Sequence, residues 1–294
     1  MLGNWWGIIQ YLLLPNDIVW RRLDQKEREY ILQANTLHNV ERDDYKQPKK
    51  YGQGRIAGGE NWDSAADRLS TIRGKILAQI LKETWPSSVI ELGPGAGFFS
   101  RLICETPAVN DYVAVDIGRA FLDYLQPRLA AVTAKKHFQY DLVCADFLKL
   151  SFPARFDAII LLSTVHHIPN RDELFAHVRH WLKPGGIIVA MDPTHYLPRL
   201  LHLSKKILFR GYGRRSYWSD QANLSTHHMC SYREYKRLAR RHGFVIDQEW
   251  YIYPKKHLAA GHSPWRWLAT EMAVVLRKPP VQEAQTYKSL CTDL

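Results

Sequence analysis

The 294-residue chain reads as an α/β protein built on a doubly wound, mostly parallel seven-stranded sheet that closes in a terminal antiparallel hairpin. Two observations predict this. From residue 88 onward, short apolar runs alternate with stretches of helical spacing, the grammar of βαβ units. After residue 231 the order changes to a helix followed by two closely successive apolar runs, which suits an antiparallel pair at the sheet end. The composition supports a large core, with 46% hydrophobic and 12% aromatic residues, and excludes a disordered or collagenous chain.

Taken in order, Leu2, Trp5, Trp6, Ile9, Leu12 and Leu13 fall on one helical face, and Pro15 ends that segment. It is read as a short amphipathic helix, either packed on the main domain or lying at a membrane interface. Residues 21–50 alternate charge sign, and four glycines between Tyr51 and Gly59 mark a loop. Helical spacing returns over 64–84 through Ala66, Leu69, Ile72, Ile76, Ile80 and Leu81. Strands are predicted at Val89–Leu92, Tyr112–Val115, Phe138–Leu142, Ala158–Leu162 and Gly186–Met191, with helices near 98–106, 118–132 and 171–182. Asn170 with Glu173 three residues on forms a capping box for the last of these. A helix over 231–242 follows, opened by Ser231 and ended by Gly243, then strands at Phe244–Tyr253 and Trp267–Arg277. The expected organisation is a helical extension over 1–59, the sheet domain over 60–280 with a lid inserted at 193–230, and a tail over 281–294.

The net charge is +11, and residues 193–294 hold 17 basic against 7 acidic side chains, so ten of the eleven charges lie in the last third. Such a field suits an anionic partner, whether nucleic acid, a membrane surface or an acidic substrate, or is simply a soluble surface. Cysteines 104, 144, 230 and 291 make no C-x-x-C pair, so a reducing compartment and no structural metal are expected. No apolar run reaches the roughly 18 residues of a membrane span, and the N-terminus lacks a basic leader. The chain is therefore expected in the cytoplasm, uncleaved.

The most informative stretch is Val89-Ile90-Glu91-Leu92-Gly93-Pro94-Gly95-Ala96-Gly97-Phe98-Phe99-Ser100, a buried strand running through a glycine turn into a helix. A ligand there meets open backbone and the positive end of a helix. In a dinucleotide fingerprint a third glycine would stand where this chain has Phe98, which disfavours a nicotinamide-dependent oxidoreductase. Asp116 ends the next strand, where a carboxylate can accept from both ribose hydroxyls, and Cys144-Ala145-Asp146-Phe147 follows the third. Three successive strand ends thus carry ligand-binding chemistry at the edge where open α/β sheets bind.

Glu91-x-Gly93-x-Gly95-x-Gly97, Asp116, Ala145-Asp146-Phe147, Phe156-Asp157-Ala158-Ile159-Ile160 and Leu182-Lys183-Pro184-Gly185-Gly186 together resemble the ordered motifs of class I S-adenosylmethionine-dependent methyltransferases. The resemblance covers residues 60–277 and includes the reversed final hairpin. It implies S-adenosyl-L-methionine as cofactor, with Gly93 and Gly95 at its methionine part, Gly97 also in the cofactor-binding turn, Asp116 at the ribose, and Asp146 with Phe147 at the adenine. Glu91 would brace the glycine loop, and Ser163 would face the cofactor. The implied chemistry is in-line displacement at the sulfonium methyl, for which the protein positions reactants and supplies at most a base.

Ser163-Thr164-Val165-His166-His167-Ile168-Pro169 follows the fourth strand and Asp192-Pro193-Thr194-His195-Tyr196 the fifth, so His166, His167 and His195 are the candidate bases. The Asn-Pro-Pro-aromatic tetrad of amino-directed DNA and glutamine methyltransferases is absent, and Ser163, His166 and His167 stand where quinone-pathway relatives can carry Glu-x-x-Glu-His for a metal. In the insert, Leu200, Leu201, Leu203, Ile207 and Leu208 oppose Arg199, His202, Lys205, Lys206 and Arg210, a basic amphipathic helix that suits either a membrane surface or a lid packed on the sheet with a solvated basic face. The expected activity is methyl transfer to a small or amphiphilic, lipid-like acceptor at oxygen, with peripheral membrane contact. An RNA methyltransferase and a non-catalytic S-adenosylmethionine-binding protein remain open alternatives.

Overall fold

A computed structural model describes residues 71–168, 170–193, 232–253, 257–260 and 269–280, together with 61–63 and positions 21, 24–26, 28 and 29. The N-terminal amphipathic segment, the loop over 51–59, the insert from 194 to 231 with His195, and the tail from 281 lie outside the described residues.

The elements run α1 (Ile72–Thr84), β1 (Ser88–Leu92), α2 (Ser100–Glu105), β2 (Asp111–Asp116), α3 (Arg119–Thr133), β3 (Gln139–Cys144), β4 (Phe156–Leu162), α4 (Arg171–Trp181), β5 (Leu182–Pro193), α5 (Tyr232–Arg241), β6 (Val245–Tyr253), β7 (His257–Ala260) and β8 (Glu271–Arg277). Short 3₁₀ turns follow β3 at Phe147–Lys149 and β4 at Val165–His167. The sheet order is β3-β2-β1-β4-β5-β8-β6-β7, with the first five strands parallel and β8 antiparallel to both β5 and β6. All seven expected strands are present. An eighth, β7, extends the edge as a short hairpin partner of β6, and its four residues show no alternation by which a sequence reading could find it.

Local chemistry sets the element ends. Thr71 caps α1 by accepting from Gly74 N–H at 3.0 Å. Asn170 accepts from the Glu173 N–H and donates its amide to the Glu173 carboxylate, so the pair predicted at the start of α4 forms as a side-chain variant of the capping box. Gly243 (φ +62°) ends α5, and Phe244 N–H turns back to Ala239 O at 2.8 Å. Strand β5 starts four residues before the predicted run because Leu182 already pairs with Phe156, and Lys183-Pro184-Gly185-Gly186 bulges out before pairing resumes at Ile187.

Strand alternation splits the core into two layers. Ile90, Val113, Ile159, Leu161 and Ile188 face α4 and α5, whereas Val89, Tyr112, Ala114, Ile160 and Val189 face α1, α2 and α3. The order reverses at β1, which pairs β2 on one side and β4 on the other. A crevice opens at the carboxyl ends of strands at such a point. On the α4 side, Arg171 and Glu234 form an ion pair at 2.5 Å with side chains only 1% and 2% exposed, and Arg171 also donates to Val165 O. Among the described residues no helix is long and apolar enough to cross a membrane.

Removing one member of a buried pair strands the other charge, so Glu234→Gln should lower the unfolding free energy by about 3–5 kcal/mol in urea titrations. The Arg171→Met/Glu234→Leu double variant should lose less than the two single changes added together.

Candidate functional site

The glycine turn joins β1 to α2, and its glycines serve different needs. A Cβ on Gly97 would stand 2.3 Å from Leu125 Cδ2 and 3.3 Å from Trp62, so that residue must be small for α3 and Trp62 to pack behind the turn. Gly95 (φ +53°) has nothing within 4 Å of a Cβ and presents open backbone. Asp116, at the end of β2, accepts from Gly95 N–H at 3.1 Å and from Gly118 N–H at 2.8 Å. Gly93 N–H donates to Val115 O at 2.8 Å, and Thr164 Oγ1 donates to Leu92 O beside it. Neighbouring strand ends thus hold the turn.

A cavity of about 550 Å³ opens beside it, lined by Glu91, Gly93, Gly95, Phe98, Ser163, Arg73 and Glu271 among others. It lies on the α1 side of the sheet, with Leu162 and Ile252 as apolar walls. Of the sequence-predicted residues, Glu91, Gly93, Gly95 and Ser163 line it. Asp116 reaches it through the Gly95 amide. Gly97 turns toward α3, Asp146 caps the 3₁₀ turn by accepting from Leu148 N–H at 3.0 Å, and Phe147 is buried against the α4 layer.

Glu91 is buried and accepts from the Tyr112 hydroxyl at 2.6 Å. Burial pushes its carboxyl up to about 7, against the opposing help of the Tyr112 and Ser100 hydroxyls. Ser163 adopts φ +56°, a strained value for a side-chain-bearing residue, and donates its N–H to Met191 O at 2.7 Å. Arg73 donates to Ser163 Oγ at 2.7 Å and to Glu271 at 2.6 Å.

On the opposite face, His166 Nδ1 lies 2.7 Å from Asp192 Oδ1, which also accepts the His166 backbone N–H at 3.2 Å. Tyr235 donates to the other oxygen, Asp192 Oδ2, at 2.7 Å. All three residues are buried, and the His167 ring lies 3.9 Å from that of His166. Sequence reasoning singled out His195 in the segment after β5 and passed over Asp192, which β5 aims at His166. Tyr235, Arg73 and Glu271 carried no motif signal, since each meets its partner from 43 to 198 residues away.

Sheet order, glycine turn and strand-end carboxylates are features that suit a nucleoside-bearing ligand at the carboxyl edge of an open α/β sheet. Residues 90–188 match the family described as a methyltransferase domain, and the chain carries a class I S-adenosylmethionine-dependent methyltransferase domain with S-adenosylmethionine as its cofactor. Curated relatives include the polyketide synthase component of lovastatin nonaketide synthase from Aspergillus terreus, 27% identical over 41% of this chain. Compactin nonaketide synthase of Penicillium citrinum is 26% identical over 43% of this chain. The match spans only 4% of the length of each of these relatives. A candidate sarcosine dimethylglycine methyltransferase from Galdieria sulphuraria shares the fold at 16% identity and TM-score 0.50, over 70% of this chain and 84% of its own. The [4+2]-cyclase SpnF does so at 15% identity and TM-score 0.50, over 70% of this chain and 81% of its own. Two activities so different on one fold leave the choice of reaction to the site. The open backbone at Gly95 beside the cavity fits the cofactor.

Gly97→Ala should cost about 2–4 kcal/mol through left-handed strain plus overpacking on Leu125, whereas Gly95→Ala should cost about 1 kcal/mol; chemical denaturation checks both. Glu91 has a folded value near 7 against an ordinary value of 4.5, so the folded state binds the extra proton and stability falls as pH rises between them. Glu91→Gln should therefore match the wild type near pH 4 and exceed it by up to about 3 kcal/mol at pH 8, read from urea unfolding at both pH values.

Proposed function

We propose that this domain methylates a small acceptor at oxygen, with His166 as the general base. The observation that carries this reading is the buried His166–Asp192–Tyr235 network at the sheet edge that also bears the glycine turn. With Asp192 accepting at Nδ1, that nitrogen carries the proton of the neutral ring and Nε2 is the basic atom. Tyr235 fixes the second Asp192 oxygen, so the carboxylate can both orient the ring and stabilise the imidazolium once a proton arrives.

When bound, S-adenosylmethionine supplies an electrophilic methyl group on a sulfonium. The residues of this chain would do the rest. Gly93 and Gly95 would accept the methionine part against bare backbone, Asp116 the ribose, and Asp146 the adenine, while Glu91 braces the turn from beneath. His166 Nε2 would take the proton from the acceptor hydroxyl or enol as oxygen attacks, so that no alkoxide need form in advance.

The relatives named as polyketide synthases support an acceptor that carries several oxygens on a carbon chain. Such a molecule is small and amphiphilic, and the basic amphipathic pattern of residues 199–210 would suit its delivery from a membrane surface. That pattern belongs to the part of the chain outside the described residues.

With any acceptor that takes up label, His166→Gln and Asp192→Asn should each lower kcat about a hundredfold or more while S-adenosylhomocysteine affinity stays within about twofold. Undiminished turnover in His166→Gln removes the base assignment, and mass spectrometry of a product carrying its new methyl on carbon removes the oxygen assignment.

A further inference from the structure

The cavity holds one polar device that the methyltransferase motifs do not include. Arg73, on the first turn of α1, and Glu271, the first residue of β8, meet at its wall with Nε 2.6 Å from Oε2. Arg73 Nη1 also donates to Ser163 Oγ at 2.7 Å. These two bonds fix the guanidinium plane while using only Nε and one side of Nη1. They leave Nη2 and the second Nη1 hydrogen outside them, both able to serve a planar anion. Ser163 accepts through Oγ, so its own hydroxyl proton is a further donor to a ligand oxygen. Glu271 keeps a second oxygen, Oε1, beyond the Arg73 bond.

A guanidinium held beside a carboxylate is the charge complement of an α-amino acid, whose carboxylate and ammonium sit on one carbon. We propose that Arg73 and Glu271, with Ser163, form the reader of the amino-acid end of the cofactor: Arg73 and Ser163 receive its carboxylate and Glu271 its ammonium. The inference rests on assigning this cavity to S-adenosylmethionine. It adds a specificity device supplied by α1 and β8, remote in sequence from every motif residue. Pre-pairing lowers the cost of the device, because each charge is neutralised before the ligand arrives and neither side chain must be ordered on binding. It also makes the zwitterion, and not the nucleoside alone, the species that the cavity selects.

Titration calorimetry of the full chain with S-adenosylhomocysteine and with 5′-methylthioadenosine, which lacks the amino-acid end, tests this. Wild-type protein should bind S-adenosylhomocysteine at least about tenfold more tightly. Arg73→Ala should weaken S-adenosylhomocysteine by about ten- to a hundredfold and leave 5′-methylthioadenosine within about twofold, with part of the loss recovered in Arg73→Lys. Glu271→Gln should show a smaller selective loss, because an amide can still accept from Arg73. Retained 5′-methylthioadenosine binding shows that the variants are folded. Equal weakening of both nucleosides, or of neither, overturns the reader; a wild-type protein that binds neither nucleoside overturns the cavity assignment instead.

Discussion

The carboxylate of Asp116 is the tie on which the site depends. One oxygen accepts the amide of Gly95 in the glycine turn and the other accepts Gly118 at the entry to α3, so one side chain couples β2 to the loop that follows β1. The turn could not hold its left-handed residues without such external bonds, because three of them within five positions leave few internal hydrogen bonds. Trp62 adds a second hold from behind, its N–H donating to Ala96 O at 2.9 Å while its ring packs near Gly97. Thr164, just past the end of β4, supplies a third. A backbone surface that stays open to a ligand at Gly95 is thereby rigid on every other side.

Polar groups are divided between the two faces of the sheet. On the α1 side, Glu91 under the turn is opposed by the Tyr112 and Ser100 hydroxyls, which offset only part of its desolvation and leave the carboxyl near 7. On the α4 side, Asp192 takes hydrogen bonds on both oxygens and Glu234 faces Arg171. Tyr235 and Glu234 are adjacent on α5, so a single helix closes both the His166 network and the buried ion pair. That arrangement explains why α5 must dock tightly although most of its outward face is basic and exposed. The two faces meet at the carboxyl edge, where Ser163 and His166 stand three residues apart on the loop after β4.

Much of this was legible in the sequence because it is local. The βαβ alternation, the glycine turn, Asp116 at a strand end and the Asn170–Glu173 cap all depend on neighbours a few residues apart. What was not legible depends on the register of distant strands. Asp192 is matched to His166 by β5 lying beside β4, and Arg73 to Glu271 by β8 inserting next to β5 so that its first residue reaches α1. His195 drew attention as a residue type suited to a base, whereas the nearby carboxylate that aims His166 has no such signature. Ser163 was found by position alone; its strained backbone and its tie to Arg73 follow from the sheet edge and from no pattern of residues.

Methyl transfer to a small oxygenated acceptor is the central claim. Its most direct test is to incubate the purified protein with S-adenosylmethionine labelled in the methyl group and fractionated cell extract, then to count label in the small-molecule, lipid, protein and nucleic-acid fractions. The account predicts label in the small-molecule or lipid fraction, in products that carry a new methoxy group. Label confined to nucleic acid or protein, or none in any fraction despite tight cofactor binding, would contradict it.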